Sequence, residues 1–508
     1  MKAREGSKKP SRTATPFYDV IIVGGGPAGS TLAWDLARRG VTPLLLDRAR
    51  FPREKVCGDY VEPRGLRIIQ KMGCLDCLQG ESPLPISHSA TFVNAECAYG
   101  GKIPFYGLRN DMPAHGYIIP REKLDSVLFE TAAKAGAVTL PETTVTGVTV
   151  GKRGIIVAAA TRDKSSTAYK GRIVVGADGV NSLVARSTDL FVSDSRYTAV
   201  SQRGYAEGID GDVGEAVFYF ERDLFPGYGW MFPMRGGMVN VGVGVLAEAS
   251  KRCALNIPHL LADFVQKLKR THPRCRKLRL CRPPIGGIVK TYGGSGPNYF
   301  SRGVLIGDAG SFVDPMTGEG ITPAMESGIL AAPIIMRALS LGRFDANLFS
   351  AYERSFRAYF DPSMIFLDLC AATMRNRHFS EPWLKALARG CAAAQKDPAF
   401  ARTAGAYFGG LEISPALILS QVWFSMASEL AFVLPKSIQA FFNKDANPLF
   451  PSVREMMSWH SSWWSSVFDD PVWHASWTLD LQRKWLKFLS NTKGSPKDPR
   501  ADGPFERI

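Results

Sequence analysis

The apolar positions first gather at Phe17–Val23, a compact run that predicts a buried strand. Ser30–Arg39 then has the spacing of a helix, and Pro43–Asp47 predicts a second buried strand. Residues 143–176 predict a meander: an apolar run to Val150, a turn at Lys152–Gly154, a second run from Ile155, and a third ending at Gly176. Residues 200–246 alternate apolar and polar with a period of two and carry many aromatics, which predicts a half-buried sheet. A short apolar strand at 303–306 leads into a glycine-rich loop and a helical stretch to about residue 340. From about residue 346 onward the pattern is helical and aromatic-rich, and no repeat of fixed period runs through the chain. The expected class is therefore mixed α/β with an inserted antiparallel sheet and a helical C-terminal region.

The first strand runs directly into Gly24-Gly25-Gly26-Pro27-Ala28-Gly29, a G-x-G-x-x-G that opens the first helix. In that context the pattern predicts a dinucleotide site. Gly24 permits the tight turn, Gly26 lets a pyrophosphate approach the backbone, and Gly29 lets helix and sheet pack closely. The helix N-terminus, with Ala28 in its first turn, faces the phosphates. Asp47, with Arg48 beside it, follows the second strand, where an acid accepts a ribose hydroxyl.

Two distant segments narrow the cofactor. Asp178 and Gly179, in the Gly176–Ser182 stretch, follow a buried strand, and Gly307 and Asp308 follow another. After these come Pro315, Gly318, Gly320 and Ile321 in the Asp314–Ile321 segment. In this order the segments resemble the second and third FAD-binding signatures of the p-hydroxybenzoate hydroxylase-like flavoproteins. The resemblance implies a Rossmann-type FAD-binding domain, with Asp308 on the ribityl chain and Gly318–Gly320 offering N–H groups to the ring and phosphates. Arg121 matches a further recurrent flavin contact. Asp178 has a plainer reading as a turn cap, and Arg121 as a solvated charge.

A more discriminating segment is Tyr228-Gly229-Trp230-Met231-Phe232-Pro233, followed after eight residues by Gly242-Val243-Gly244. On a strand, Tyr228, Trp230 and Phe232 share one face, and Gly242 and Gly244 share another that leaves room for a flat group or a long chain. This predicts the lining of an apolar channel, with core packing as the plainer reading. The Y-x-W-x-F-P and G-x-G pair resembles the geranylgeranyl reductase family, and so does Phe51–Asp59 followed by Glu62-Pro63-Arg64-Gly65. The resemblance spans about residues 17–345 and implies reduction of isoprenoid double bonds by reduced FAD. It implies Cys57 beside the flavin ring, and Tyr60, Tyr228, Trp230, Phe232, Gly242 and Gly244 on an apolar, anionic-headed lipid; Arg53 and Lys55 are cations near the thiol in sequence, and a buried structural cysteine is the plainer reading of Cys57. Tyr60 departs from the pattern, since family members often carry a small residue there. Cys57, Tyr60 and Tyr228 are the proton-donor candidates, and Cys57, Tyr228, Trp230 and Phe232 the catalytic set. The rival readings are a monooxygenase or halogenase of the same fold and, further off, an electron-transfer flavoprotein. Halogenases have W-x-W-x-I-P and usually Gly-Glu-Ser where this chain has Tyr228–Pro233 and Cys57–Asp59, which favours the reductase.

The expected organisation is a basic tail at 1–16 and a discontinuous FAD-binding domain at 17–80, 117–190 and 300–345. A substrate sheet domain takes 81–116 and 191–299, and a Trp-rich helical domain takes 346–508. Composition adds a charge argument: 62 basic against 47 acidic residues give +15. Two patches supply most of this excess, the tail and residues 267–282, which hold eight cations and no acid. With six of the ten Trp at 459–485, this predicts peripheral membrane contact, against the plainer reading of a solvated face and a helical cap over the pocket. The longest uncharged stretch, Ile413–Ser428, is short and interrupted by Pro415, so no confident span is expected. The nine cysteines lack framework spacing and the one C-x-x-C, Cys74 and Cys77, has no partner pair, so a cytoplasmic, disulfide-free, metal-free protein is expected. No second dinucleotide motif follows a strand, so electrons are expected from an external donor, either NAD(P)H or a reduced ferredoxin or flavin protein. No nucleic-acid partner is expected.

Overall fold

The structure is a computed structural model that describes residues 15–80, 83–103, 113–396 and 453–492. The stretch Ile413–Ser428 and all but the last two residues of the basic tail lie outside these. Phe17–Val23 sits in the middle of a sheet, parallel to Ser166–Gly176 on one side and Leu44–Leu46 on the other. Its residues from Val20 to Val23 are all buried, as a parallel strand covered on both faces requires. Gly303–Leu305 and Val138–Leu140 extend the sheet in parallel, and the strands Thr143–Gly151 and Gly154–Thr161 fold back against Ser166–Gly176 as an antiparallel meander.

The first helix is Pro27–Arg38, three residues earlier than the periodicity alone predicts. Pro27 occupies the first turn, where its preset φ helps and its missing N–H costs nothing. The helix Ile321–Leu341 packs against it and against Ala346–Met374. Ile321–Leu341 is apolar enough to span a bilayer by length and composition, and it is the one such helix among the described residues. Most of it is buried in the core of the first domain.

A second sheet stands beside the first. Thr198–Glu207, Met238–Leu246, Gly227–Pro233 and Glu215–Phe220 are antiparallel neighbours, extended by His88–Val93 and Glu96–Lys102. One face is covered by the helix Ile257–Thr271, with Leu261, Phe264, Val265 and Leu268 packed inward. The other face carries the aromatic side chains and looks toward the first domain.

The C-terminal helices dock by charge as well as by apolar packing. Arg375, almost fully buried, pairs with Asp480 and lies 3.0 Å from Glu248, while Lys484 pairs with Asp368. The indole of Trp477 donates to the Ala372 carbonyl at 2.8 Å, and Trp473 donates to Glu248 at 3.2 Å. Within this region Ser380–Lys396 lies on the second sheet, with the Trp383 ring against Phe220 and Phe225. Phe468, Val472 and Leu486 are exposed on the outer side of the last two helices.

Candidate functional site

A cavity opens between the two sheets. Its walls come from Lys55–Tyr60, the strands at 227–230 and 244–246, and the loop Val313–Ile321. These segments are far apart in sequence, and only the packing of the aromatic face against the first domain brings them together.

At the dinucleotide end, the Gly26 backbone faces open space: a Cβ built there would meet nothing closer than the Arg53 guanidinium at 3.4 Å. Gly26 caps the first helix without a side-chain hydrogen bond, so the N–H groups of that end remain available to phosphate. Gly24 and Gly29 have a packing reason instead: a Cβ on Gly29 would lie 1.9 Å from the Gly24 carbonyl, and Gly24 has φ of +107°. Asp47 accepts the Gly25 and Ala49 N–H groups, each at 2.7 Å, and so holds the loop in shape. Arg48 is exposed beside it and does not line the cavity. Asp308 lines the cavity with Lys55 3.1 Å away, and Pro315, Gly318, Gly320 and Ile321 form the wall ahead of the apolar core helix. Open backbone at Gly26 and Gly318, with the Asp308 carboxylate in the cavity wall, fits FAD.

Two of the expected contacts turn elsewhere. Asp178 caps the short helix Leu183–Ser187, accepting from Ser182 and from the N–H groups of Leu183 and Val184. Its carboxylate is thus engaged locally, the plainer of the two readings, while Gly179 next to it takes a positive φ of 80°. Gly242 does not line the cavity either: a Cβ there would lie 2.2 Å from the Trp230 ring, so the space it leaves is filled by that indole from the neighbouring strand. Gly244 does line the cavity. Arg121 is the opposite of a solvated charge, being buried and paired with Asp125 through two 2.8 Å bonds.

Cys57 stands at the cavity wall with the Arg121 guanidinium as hydrogen-bond neighbour. Burial pushes its thiol up, and the charges of Arg121 and Lys55 only partly oppose that. Arg53 faces Asp125 at 2.9 Å, so its charge is spent there rather than on the thiol. Gly58 is held by crowding: a Cβ would sit 2.9 Å from the Phe232 ring.

The aromatic segment splits by role. Tyr228 points its hydroxyl at the Thr317 carbonyl, across the cavity. Phe232 packs between Tyr60 and Phe218, with ring centroids 5.7 and 5.4 Å apart. Trp230 donates its indole N–H to Asn240 at 2.9 Å. Asn240, fully buried, donates in turn to the Cys57 carbonyl at 2.9 Å and to Asp59 at 2.8 Å, and Tyr205 donates to the same Asp59 oxygen. The aromatic strand therefore holds the Cys57–Asp59 loop through Asn240. Asp59 and Asn240 are missed by motif reading; the sole sequence hint is that Asp59 ends the K-x-C-G-D run. Burial raises the Asp59 carboxyl to about 6, against the pull of Tyr205, Arg203 and Asn240. Tyr60 and Tyr228 are raised by burial as well.

The basic stretch is partly neutralised within the fold. Lys267 pairs with Glu221 at 2.7 Å, Arg279 with Glu207 at 2.6 Å and Arg282 with Glu54 at 3.1 Å. Arg274 donates to the carbonyls of Asp210 and Gly211.

Comparison with known proteins agrees with this geometry. A family described as FAD binding domain matches residues 17–201, and one described as geranylgeranyl reductase catalytic domain matches residues 198–281. The chain is 34% identical over 328 residues to the menaquinone reductase of Mycolicibacterium smegmatis, covering 62% of this chain and 76% of that protein. It is 30% identical over 352 residues to the digeranylgeranylglycerophospholipid reductase of Methanosarcina mazei, covering 67% and 80%. Among solved structures, a geranylgeranyl bacteriochlorophyll reductase-like protein of Thermoplasma acidophilum superposes with a TM-score of 0.65 at 22% identity, over 75% of this chain and 92% of that one. A myxobacterial chondrochloren halogenase shares the fold with a TM-score of 0.60 at 22% identity, over 71% and 84%.

Proposed function

Because the chain belongs to the geranylgeranyl reductase family of FAD-dependent oxidoreductases, we propose that it saturates C=C bonds in the isoprenoid portion of an apolar lipid. The observation that carries this reading is the joint wall of the cavity, where the aromatic strand Gly227–Pro233 and the Cys57–Asp59 loop meet and are tied by Asn240. Reduced FAD, when bound, supplies a hydride equivalent. The residues of the chain do the rest. Gly26, Asp308 and the loop Pro315–Ile321 hold and orient the cofactor. Tyr228, Phe218 and Phe232 give an apolar surface that excludes water and aligns an isolated alkene, a poor hydride acceptor that gains most from alignment. Arg121 and Lys55 place positive charge beside Cys57 at the reacting end.

The substrate class rests on the relatives, one named for menaquinone and one for a digeranylgeranyl glycerophospholipid, both of which carry isoprenoid chains. The external donor is NAD(P)H or a reduced ferredoxin or flavin protein. The test is anaerobic incubation of chemically reduced protein with a polyprenyl menaquinone and, separately, with a digeranylgeranyl glycerophospholipid. A mass gain of two hydrogens per bond, formed without oxygen, is the expected product. Turnover that requires oxygen, giving a hydroxylated or halogenated product, overturns the reading in favour of the oxygenase or halogenase chemistry of its fold neighbours.

A further inference from the structure

Saturating an alkene takes a hydride for one carbon and a proton for the other, and the three donor candidates from the sequence are all weakened as acids. Burial makes the Cys57 thiol and the Tyr60 and Tyr228 phenols harder to deprotonate, whereas a good general acid titrates near the working pH. The cavity holds better acids that no motif announces. Glu62, Asp314 and Glu319 line it, and Glu326 lies just behind. Arg64 is the guanidinium between two of them, at 2.6 Å from Glu326 and 3.3 Å from Glu62.

Hydrogen bonds show which carboxyls are provided for as anions. Glu326 accepts from Arg64 and, at 2.9 Å, from Tyr359. Asp314 accepts the N–H groups of Met316 and Thr317 at 2.7 and 3.0 Å. Glu319 receives one bond, from the Thr322 N–H at 2.8 Å, and its other oxygen has no hydrogen-bond partner. The Thr322 hydroxyl, fully buried, and the second oxygen of Glu326 are unpartnered as well. Unsatisfied polar atoms of this kind are rare in native interiors and gather where a ligand or a proton is to be handled. We propose that Glu319 is the catalytic acid that protonates the second alkene carbon.

The inference rests on the reading of the protein as an alkene reductase. The π bond breaks as the hydride equivalent from the reduced cofactor forms one C–H bond and the Glu319 proton forms the other; the cofactor is oxidised and Glu319 is left as a carboxylate. Arg64 offsets that new charge, and Glu62 passes on a replacement proton. Burial, with the charge of Glu62 beside it, holds the Glu319 carboxyl well above the usual range, and burial against the pull of Arg64 puts Glu62 at about 7. Among the described residues Tyr60, Tyr359, Tyr228 and Cys370 also face this corner, and burial keeps all four neutral at working pH. Asp59, at about 6, is mainly ionised at neutral pH and accepts bonds instead.

The first measurement is an infrared pH titration of the resting, FAD-loaded protein. A carboxylic-acid carbonyl band that persists above pH 8, where Glu62 is ionised, is expected in the wild type and in Asp59→Asn, and not in Glu319→Gln. The second is a single anaerobic turnover of reduced protein with a polyprenyl menaquinone. Glu319→Gln, with flavin content verified, is expected to lose about 100-fold or more in rate, and Glu319→Asp to recover part of it. Glu62→Gln is expected to shift the pH–rate profile rather than abolish turnover. Equal rates for Glu319→Gln and wild type, or a band above pH 8 that survives in Glu319→Gln, overturn the assignment of the acid. A wild type that shows the band yet saturates no alkene overturns the functional reading instead.

Discussion

Asp59 offers a test of the buried network that does not depend on the substrate. Its carboxyl titrates at about 6 in the fold against an ordinary value of 3.8, with burial as the main cause. The folded protein therefore holds this proton more tightly than the unfolded chain. The stability it contributes is complete below about pH 4 and is lost as pH rises through about 6. The interval corresponds to about 3 kcal/mol, at about 1.4 kcal/mol for each tenfold change. Asp59→Asn removes the titration with little change of shape. Asn tolerates the positive φ of 63° at this position. Its amide oxygen can accept from Tyr205 and Asn240, and its amide nitrogen takes the place of the oxygen that has no partner. Burying that N–H₂ carries a cost, but one that does not vary with pH. For a chain of 508 residues, about 3 kcal/mol is worth about 3 °C in Tm. Calorimetry of the FAD-loaded proteins from pH 4 to pH 8 should show the variant gaining on the wild type by that amount, with most of the change between pH 4 and 6. Parallel curves would refute the reasoning, because they would mean that Asp59 titrates alike in the folded and unfolded states.

Two further variants separate packing from binding. Gly242→Ala drives a methyl to 2.2 Å from the Trp230 ring and should cost about 1–3 kcal/mol, whereas Gly244→Ala, with its nearest neighbour at 3.6 Å, should be tolerated by the fold; thermal unfolding compares them. A Cβ at Gly26 meets no protein atom nearer than 3.4 Å, so Gly26→Val is expected to give a folded protein that has lost its flavin absorbance, and full flavin content would remove the first motif from the cofactor site.

The strands and helices of the first domain were largely legible in sequence, because a buried parallel strand must be apolar throughout and a dinucleotide turn needs glycine at fixed offsets. Even there, the helix began earlier than its apolar spacing indicated, since Pro27 belongs to the first turn without contributing to the amphipathic pattern. The aromatic face of Gly227–Pro233 was legible as a face, but not which of its rings would line the cavity and which would fill a neighbour's gap.

Local rules of spacing, turn chemistry and alternation were enough to mark Gly24–Gly29 and Tyr228–Phe232, because the constraints on those residues come from their own segment, whereas Asp308 was marked by resemblance to known flavoproteins. The fate of Gly242 and the acidic corner was decided elsewhere. Gly242 made room for an indole that arrives from the adjacent strand. Arg64 and Glu326 stand 262 residues apart and meet only when the apolar core helix packs behind the cavity. Desolvation and charge coupling act over a few ångströms of space and not along the chain, so the acidity of Glu62 and Glu319 exists only in the folded protein.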